Sequence, residues 1–315
     1  MLPPDAISIV IPTYRREQVL LDTLDALLRQ EPAAAEILVV DQTEGHEPDT
    51  TARLAAWDAA GLLRWLRLER PSVTAAMNAG LLAARCPLVL FLDDDIIPGP
   101  GLVAAHARNY QDPAVVGVVG QILQPGQSPA EPPARLPLPG IWRDLDFPFN
   151  STQAAEIDNG MAGNLSVRRE VALQAGGFDE NFRGVAYRFE TEFARRLRRV
   201  SGGKVRFDPA ASLRHLQAAR GGTRAYGIPL CSASPAHSVG EYYLAFREGR
   251  GWERVSFILW RMFRSVRTRF HLARPWCIPI KLTGEVRGLA WAARLHWRGP
   301  ALLPSLPPEA APPHE

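Results

Sequence analysis

Residues 88–95 read Leu-Val-Leu-Phe-Leu-Asp-Asp-Asp, an apolar run that ends in three adjacent carboxylates. An uninterrupted apolar run of this length is typical of a strand that is buried on both faces of a parallel sheet. The three carboxylates repel one another unless a cation or another partner neutralises them. Because ligands of open α/β sheets bind at the carboxyl ends of the strands, this cluster is the first candidate for chemistry.

Strands and helices alternate around this run. Apolar runs at 7–12 and 36–41 are each followed by a stretch with helical character, and 72–84 reads as an alanine-rich helix with Ser72 as its N-cap. A further strand is predicted over 115–123. This alternation predicts βαβ units and therefore an α/β fold with a mostly parallel sheet flanked by helices.

The second half of the chain is less regular. Prolines interrupt residues 124–149, which predicts a long surface loop. A helix is expected over 188–200, and two short strands over 204–209 and 211–216. The tail, 300–315, is rich in proline and alanine and is expected to be flexible.

The composition is that of a globular protein, with 46% hydrophobic and 22% charged residues among 315. No apolar stretch approaches the roughly 20 residues of a membrane-spanning helix. The first strand begins too early to leave room for a signal peptide. The three cysteines are far apart and lack metal-binding spacing, so we expect reduced, buried thiols of a cytosolic protein at Cys86, Cys231 and Cys277.

Positive charge and tryptophan are concentrated in residues 236–299. This segment has 12 Lys and Arg against 4 Glu, a net charge of +8, while the rest of the chain carries −5. It also holds five of the eight tryptophans.

Over 254–270 the apolar side chains and most of the arginines fall on different helical faces. Such a helix either lies on an anionic membrane surface or packs its apolar face on the rest of the protein and solvates its arginines. Nucleic acid is disfavoured as a partner, because the remainder is acidic and no known binding fold is evident.

Seven short motifs follow one another along the first 216 residues. They are Ile-Pro-Thr-Tyr-Arg-Arg (11–16), Val-Val-Asp (39–41), Asn78 with Gly80, Phe-Leu-Asp-Asp-Asp (91–95), Gly-Asn-Leu-Ser-Val-Arg (163–168), Gly-Gly-Phe-Asp-Glu (176–180) and Phe-Glu-Thr-Glu-Phe-Ala-Arg-Arg-Leu (189–197). In this order they resemble the family 2 glycosyltransferases. The resemblance implies an inverting, metal-dependent enzyme of the GT-A fold, with a Rossmann-like nucleotide-binding sheet, that uses nucleotide-diphospho-sugars.

The resemblance also implies a division of the chain. Residues 1–235 would form the catalytic domain, with a nucleotide-sugar half over 1–123 and an acceptor half over 124–235. Residues 236–299 would be a helical appendage, followed by the flexible tail.

The family places nucleotide-binding residues at the first two strand ends. It implies contacts with the base from Pro12, Thr13 and Tyr14. It also implies that Asp41 accepts a hydrogen bond from the base or the ribose, although Gln42 stands where a second aspartate is common. The alternatives are an ordinary strand-to-helix turn at residues 12–14 and a loop-capping role for Asp41.

Asn78 would belong to the same donor site. Related enzymes often have an arginine immediately before this asparagine, but here the residue is Met77. We therefore expect Arg15 or Arg70 to supply the positive charge for the diphosphate.

The acidic cluster corresponds to the family's DxD motif. Hard divalent cations such as Mg²⁺ or Mn²⁺ take oxygen ligands, so carboxylates together with phosphate oxygens form such a site. We expect Asp95 to bind the metal directly and Asp93 to contact the metal, its water or the ribose, with Asp94 also at the donor. His215 follows the last predicted strand and is a candidate third ligand, against the alternative of a structural histidine.

Glu190 falls where the family has its catalytic aspartate. An inverting transfer needs a carboxylate that takes the proton of the acceptor hydroxyl. Glu192 is the rival base, two residues on and so on a different helical face. The alternative is an exposed helical glutamate, with Glu192 paired to Arg196.

The sequence therefore predicts a hexosyl- or deoxyhexosyltransferase of polysaccharide or glycolipid synthesis. Its acceptor would be a saccharide or a lipid-linked hydroxyl, and its location the cytoplasm or the inner face of the plasma membrane. Two other functions stay open at this point. A phosphatase with a nucleophilic aspartate needs a downstream lysine, for which only Lys204 and Lys281 exist. A non-catalytic sugar-nucleotide-binding or scaffold protein would explain Met77 and Phe189.

Overall fold

The computed structural model describes residues 6–132 and 138–304. In this part of the chain nine strands form one sheet. They are β1 (Ile7–Thr13), β2 (Glu36–Asp41), β3 (Arg64–Arg67), β4 (Leu88–Leu92), β5 (Ile96–Pro98), β6 (Val115–Leu123), β7 (Ala155–Glu156), β8 (Asn164–Arg168) and β9 (Lys204–His215).

Helices cover the sheet and form the C-terminal part of the chain. They are α1 (Gln18–Leu28), α2 (Pro48–Ala59), α3 (Val73–Ala83), α4 (Leu102–Asn109), α5 (Arg169–Gln174), α6 (Phe189–Ser201), α7 (Val239–Glu248), α8 (Gly251–Val266), α9 (Arg269–Ala273) and α10 (Cys277–Arg298). The predicted N-cap of α3 is present, because the Ser72 side chain accepts a hydrogen bond from the Ala75 amide.

The sheet is mixed and runs in the order β3-β2-β1-β4-β8-β6-β9-β5, with β7 on β9. The first four strands in this order are parallel, as the alternation of elements predicts. β8 enters antiparallel between β4 and β6. The carboxyl ends of β1, β2 and β4 therefore meet at one edge.

Both faces of the sheet are buried, which explains the continuous apolar strands. On β4, Val89 and Phe91 belong to one core and Leu88 and Leu90 to the other. On the first face Phe91 packs edge-on against Phe178, their ring centroids 5.1 Å apart. Burial on both sides fixes the register of β4 and so the position of the acidic residues that follow it.

Three expectations about the second half need correction. The two strands predicted over 204–209 and 211–216 are one strand, β9, whose pairing with β6 shifts register between Gly120 and Gln121. The loop 124–149 is partly packed, since Trp142 contacts the rings of Phe257 and Trp260 on α8.

The third correction concerns the tail, where residues 300–304 are held in place. The Leu303 amide donates to the Gly176 carbonyl, and the Ala301 amide donates to the Asp179 carboxylate. Residues 305–315 of the predicted flexible tail lie outside the described residues.

The expectation of three reduced cysteines is wrong for two of them. Cys231 and Cys277 form a disulfide with their Cα atoms 5.0 Å apart, whereas Cys86 is a free thiol. The pairing is possible because the segment before α7 runs back along α10. Gly284 allows this approach, since a Cβ there would lie 2.7 Å from the Ser232 carbonyl oxygen.

Helix α8 packs only part of its apolar face on the rest of the protein, so the packing interpretation of its sequence is partly wrong. Phe257, Arg261 and Ser265 are buried, and Ile258, Trp260 and Met262 also pack against the core. Arg261 is buried between Glu241 of α7 and Glu285 of α10. A buried arginine needs such partners, because an unpaired charge inside a protein is costly. Val255, Leu259 and Phe263 form the part of its apolar surface that points outward.

Candidate functional site

A cavity of about 260 Å³ opens at the carboxyl edge where β1 and β4 end. The ends of these strands, the N-terminus of α6 and the loop that follows β9 line it. Of the predicted nucleotide residues, Pro12, Thr13 and Tyr14 lie in its wall, and so do all three residues of the acidic cluster. The sheet thus brings together motifs that are far apart in the sequence.

Three potential metal ligands converge in this cavity. One ligand atom each from Asp93, Asp95 and His215 lies within 4.8 Å of the others. Two carboxylate oxygens and one imidazole nitrogen make a donor set that suits Mn²⁺ or Mg²⁺, with phosphate oxygens and water completing the shell. The residues present therefore fit a divalent cation.

The orientation of His215 favours this role. Its Nδ1 lies 2.9 Å from the Gln124 side-chain oxygen, so its Nε2 faces the carboxylates and lies 3.0 Å from Asp95 Oδ1. A histidine ligand is commonly fixed in this way by a hydrogen bond to its other nitrogen. Burial alone would lower the pKa of His215, but the hydrogen bond with Asp95 and the charges of Asp93 and Asp95 raise it.

The start of β8 lies tightly against the same cluster. A Cβ atom at Gly163 would lie 2.3 Å from Asp93 Oδ2. A side chain there would displace the carboxylate, so the glycine of the Gly-Asn-Leu-Ser-Val-Arg motif allows the observed position of Asp93.

Asp94 contacts neighbouring protein groups. Its carboxylate accepts hydrogen bonds from the Thr13 hydroxyl at 2.7 Å and from Arg16 Nε at 3.1 Å. Burial raises the pKa of Asp94 to about 7, against the opposing effect of the Arg16 charge. Asp94 therefore ties the end of β1 to the end of β4 and does not belong to the group of metal-ligand candidates.

The cavity contains the guanidinium of Arg16, a residue that the sequence analysis did not assign to the site. Arg16 bridges Asp94 and Asp95, with Nη2 3.2 Å from Asp95 Oδ2, and it is 7% exposed. Burial alone would raise the pKa of Asp95, but the hydrogen bond with His215 and the charges of His215 and Arg16 lower it. The available signal was the Tyr-Arg-Arg sequence directly after a strand end.

Arg15 lies elsewhere. Its backbone has a φ of 55°, which reverses the chain, and its guanidinium lies over the Tyr14 ring at 5.0 Å. Neither Arg15 nor the exposed Arg70 lies in the cavity wall, whereas Met77 does. The cavity arginine is thus one residue beyond the one expected.

Asp41 is fully buried, and both of its carboxylate oxygens are engaged. Oδ2 accepts from Trp65 Nε1 and contacts His46 Nε2, both at 3.0 Å, and Oδ1 accepts from the Thr43 amide. These contacts agree with the loop-capping alternative. The neighbouring Gln42 lines the cavity instead.

Asn78 also lies outside the cavity wall. Its side-chain oxygen accepts from the Phe178 amide at 2.7 Å, and its nitrogen donates to the Phe178 carbonyl and to Glu180. Asn78 therefore holds the Gly-Gly-Phe-Asp-Glu segment against α3.

The two candidate bases have different surroundings. Glu190 lies in the cavity wall, and burial raises its pKa to about 7, with Asp93 adding to the rise. Glu192 is completely buried on another face of α6, where it accepts two hydrogen bonds from Arg196 at 2.9 and 2.8 Å. The geometry therefore favours Glu190 as the group that can meet an acceptor.

The loop that follows β9 closes one side of the cavity. The Gly222 amide donates to the Tyr14 carbonyl, and Arg16 donates to the Ala218 carbonyl. At Gly221 a Cβ would lie 2.3 Å from the Arg15 carbonyl oxygen, and φ is +78°, so glycine suits this crossing. The loop places Tyr226 in the cavity wall.

Neither lysine of the chain is available for phosphatase chemistry at this site. Lys204 lies at the start of β9 near Glu156, and Lys281 is buried on α10 beside Glu285. Among the described residues that line the cavity there is no lysine.

Comparison with known proteins gives matches of three kinds. A family model described as glycosyl transferase family 2 matches residues 8–174. A validoxylamine A glucosyltransferase of Streptomyces hygroscopicus subsp. limoneus is 28% identical over 203 residues, which cover 56% of this chain and 45% of that protein. The chain thus spans about half the length of this curated relative.

Two solved structures share the fold. The mannosyltransferase PcManGT from Pyrobaculum calidifontis, in complex with GDP-Man and Mn²⁺, has a TM-score of 0.54 and 19% identity, over 93% of this chain and 78% of that one. GalNAc-T7 with UDP, GalNAc and Mn²⁺ has a TM-score of 0.55 and 15% identity, over 82% and 54%. The fold is therefore that of the GT-A glycosyltransferases. Because the family model also spans more than half of the chain, this protein belongs to glycosyl transferase family 2.

Proposed function

We propose that this protein transfers a sugar from a nucleotide-diphospho-sugar to an acceptor hydroxyl, with a divalent cation and with inversion at the anomeric carbon. The observation that carries the proposal is the convergence of Asp93, Asp95 and His215 with Glu190 in one cavity of a family 2 chain. The Mn²⁺ and nucleotide ligands of the two structural neighbours support it.

The donor would lie along the strand ends. Its base would contact the wall formed by Pro12, Tyr14, Gln42 and Tyr226, which offers aromatic and amide surfaces. Asp93, Asp95 and His215 would hold the metal, which neutralises negative charge on the departing diphosphate. Arg16 would supply the positive charge that Met77 does not.

Glu190 would act as the general base. As the acceptor oxygen bonds to the anomeric carbon, the Glu190 carboxylate takes the hydroxyl proton, and the bond between that carbon and the diphosphate oxygen breaks. The products are a glycoside of inverted configuration and the nucleoside diphosphate. A pKa near 7 suits a group that must accept this proton close to neutral pH.

The transferred sugar would be a hexose or deoxyhexose, and the acceptor a saccharide or lipid-linked hydroxyl of polysaccharide or glycolipid synthesis. The glucosyltransferase relative supports the hexose. We propose that the reaction takes place at a membrane surface, which the basic, tryptophan-rich segment 236–299 supports. The cytoplasmic side is the expectation from the sequence, and the Cys231–Cys277 disulfide counts against it. No helix among the described residues is long and apolar enough to cross a membrane.

Thermal unfolding with UDP, GDP, dTDP and CDP, each with and without Mn²⁺, tests the donor site. Ligands that bind the native state raise the melting temperature according to their affinity. We expect a metal-dependent rise with one diphosphate, which disappears in Asp95→Ala and persists in the control Asp22→Ala on the surface of α1. No rise with any diphosphate, or an equal rise without metal, would contradict the proposal.

A further inference from the structure

Helix α8 carries an apolar stripe on its outer face. Trp252, Val255, Leu259 and Phe263 follow one another at spacings of three and four residues, so they lie on the same side of the helix. Their exposed fractions are 76%, 41%, 56% and 58%. Large apolar side chains normally alternate with polar ones on a surface helix, so a continuous exposed stripe indicates a binding surface.

The opposite face of α8 explains why the stripe is outside. Phe257 fills the space against Trp142, and Arg261 is held by Glu241 and Glu285. A rotation of the helix that buried Leu259 and Phe263 would remove Arg261 from both of its carboxylate partners. The contacts of Phe257 and Arg261 on the inner face therefore hold Leu259 and Phe263 on the outer face.

The surroundings of the stripe are cationic. From Arg254 to Gly284 the sequence contains no aspartate or glutamate, and the exposed arginines of this run are Arg264, Arg267, Arg269 and Arg274. Three of them lie over aromatic rings: Arg264 over Trp260, Arg267 over Phe263 and Arg274 over Phe270.

The two helices after α8 expose further large apolar side chains. Leu272 of α9 is 83% exposed, Trp276 just before α10 is 66% exposed, and Ile280 is 42% exposed. The run 252–280 thus combines exposed leucine, phenylalanine and tryptophan with arginine, which is the composition of helices that lie in the interfacial region of a bilayer.

We propose that the outer face of α8, together with the exposed residues of α9 and of the start of α10, binds the surface of an anionic lipid membrane. Leu259 and Phe263 enter the boundary between headgroups and acyl chains, and the arginines contact the lipid phosphates. The surface deepens the proposed function, since it would hold the donor site near a lipid-linked acceptor. The lipid contact itself does not require sugar transfer to take place.

Charge distinguishes a lipid surface from a second copy of the chain. If two copies met through this face, the arginines of one would approach those of the other. Among the described residues only Arg264 of the four has a carboxylate partner, Glu241, and the run itself contains none. Like charges brought together in this way cost free energy. An anionic membrane neutralises the same arginines while it takes up the apolar stripe.

Co-sedimentation of the full chain with lipid vesicles tests the surface. We expect binding to vesicles of phosphatidylcholine with phosphatidylglycerol, weaker binding to phosphatidylcholine alone, and a loss of binding as salt is raised. The double variant Leu259→Glu with Phe263→Glu should bind at least roughly tenfold more weakly, because two apolar contacts become charges.

A matched control makes the same chemical change elsewhere. Leu82 of α3 and Val200 of α6 are 47% and 51% exposed, so Leu82→Glu with Val200→Glu adds the same charge at positions of similar exposure. We expect this control to bind vesicles nearly as well as the parent, with only the small weakening that its two added negative charges cause. Both double variants should keep the melting temperature of the parent, since all four side chains are exposed.

Several results would overturn the inference. They are equal binding of the parent and the α8 double variant to anionic vesicles, no binding of the parent, and a parent dimer that this variant converts to monomer without any vesicle binding. Diphosphate binding by the α8 variant, measured by thermal unfolding, keeps the two proposals separate. A variant that loses vesicles and keeps the diphosphate supports the surface whether or not transfer is later found.

Discussion

Carboxylates are buried beside arginines in two regions of this protein, and the two regions balance their charges differently. In the C-terminal helices, Glu241 and Glu285 meet Arg261, and each has a second cation in Arg264 or Lys281. Each of these carboxylates thus has more than one cationic partner, and the ion pairs hold α7, α8 and α10 together.

The cluster after β4 has a deficit of positive charge. Three carboxylates face one guanidinium, Arg16, and the imidazole of His215 in the described part of the chain. The cluster opens into a cavity, and its half-exposed member, Asp93, faces that opening. The comparison teaches that a buried network in which every carboxylate is paired stabilises the fold, whereas an excess of carboxylate at an open strand end is available for a cation.

The largest expected effect separates the two glutamates of α6. Glu190→Gln should lower the turnover by roughly 10²- to 10⁴-fold, because the amide cannot accept the acceptor proton. It should leave the metal-dependent affinity for the nucleoside diphosphate unchanged. Release of nucleoside diphosphate in the presence of Mn²⁺ and of a saccharide acceptor measures the turnover.

Glu192→Gln is the matched control on the same helix turn. It removes the charge that Arg196 and Arg247 face in the buried network, so the free energy of unfolding should fall by about 3–5 kcal/mol. The folded fraction should keep the parent turnover. Full turnover in Glu190→Gln, together with its loss in folded Glu192→Gln, would assign the base to Glu192 and contradict this comparison.

A second pair of variants tests whether the C-terminal network is structural. Arg261→Gln should lower the free energy of unfolding by about 3–5 kcal/mol, because Glu241 and Glu285 stay buried with less positive charge. Arg264→Gln, at a side chain that is 46% exposed, should change it by no more than about 0.5 kcal/mol. Urea unfolding measures both, and equal effects would show that the inward face of α8 is not fixed by its ion pairs.

The sequence predicts the fold and the position of the acidic cluster because both follow from burial. Val89 and Phe91 on one face of β4 and Leu88 and Leu90 on the other leave no doubt that the strand is central. The residues after such a strand must then emerge at the carboxyl edge. The approach of His215 does not follow in this way, since it depends on the pairing of β9 with β5, a short strand that the sequence did not predict.

Neighbouring residues at the other strand ends are harder to assign. The sequence favours Arg15 and Asp41, yet Arg16 and Gln42 line the cavity. For the two arginines the choice depends on the left-handed backbone at Arg15, which no residue pattern indicates, since arginine rarely adopts it. For Asp41 it depends on His46 and Trp65, which engage its carboxylate.

The packing of α8 could not be predicted for a different reason. Its periodicity places Ile258 and Met262 on one face with Leu259 and Phe263, yet only the first two pack inward. The inner face depends in addition on carboxylates from other elements. Glu241 and Glu285 lie on α7 and α10, outside the helix, and they draw Arg261 inward. A pattern within one helix does not contain that information.

The pH dependence of transfer gives the smallest effect and connects the two regions. Burial and the charge of Asp93 raise the pKa of Glu190 to about 7, whereas the charge of Arg188 lowers it. Because the carboxylate is the basic form, kcat/KM should rise about tenfold per pH unit up to about pH 7 and then level off.

Arg188 connects the C-terminal network of ion pairs to the candidate base, since it also lies 3.5 Å from Glu241 of α7. Arg188→Gln should therefore move the midpoint of the profile to higher pH, while Arg199→Gln, at the distant end of α6, should leave it in place. A midpoint that moved equally in both variants, or not at all, would show that the C-terminal helices do not act on Glu190 through Arg188.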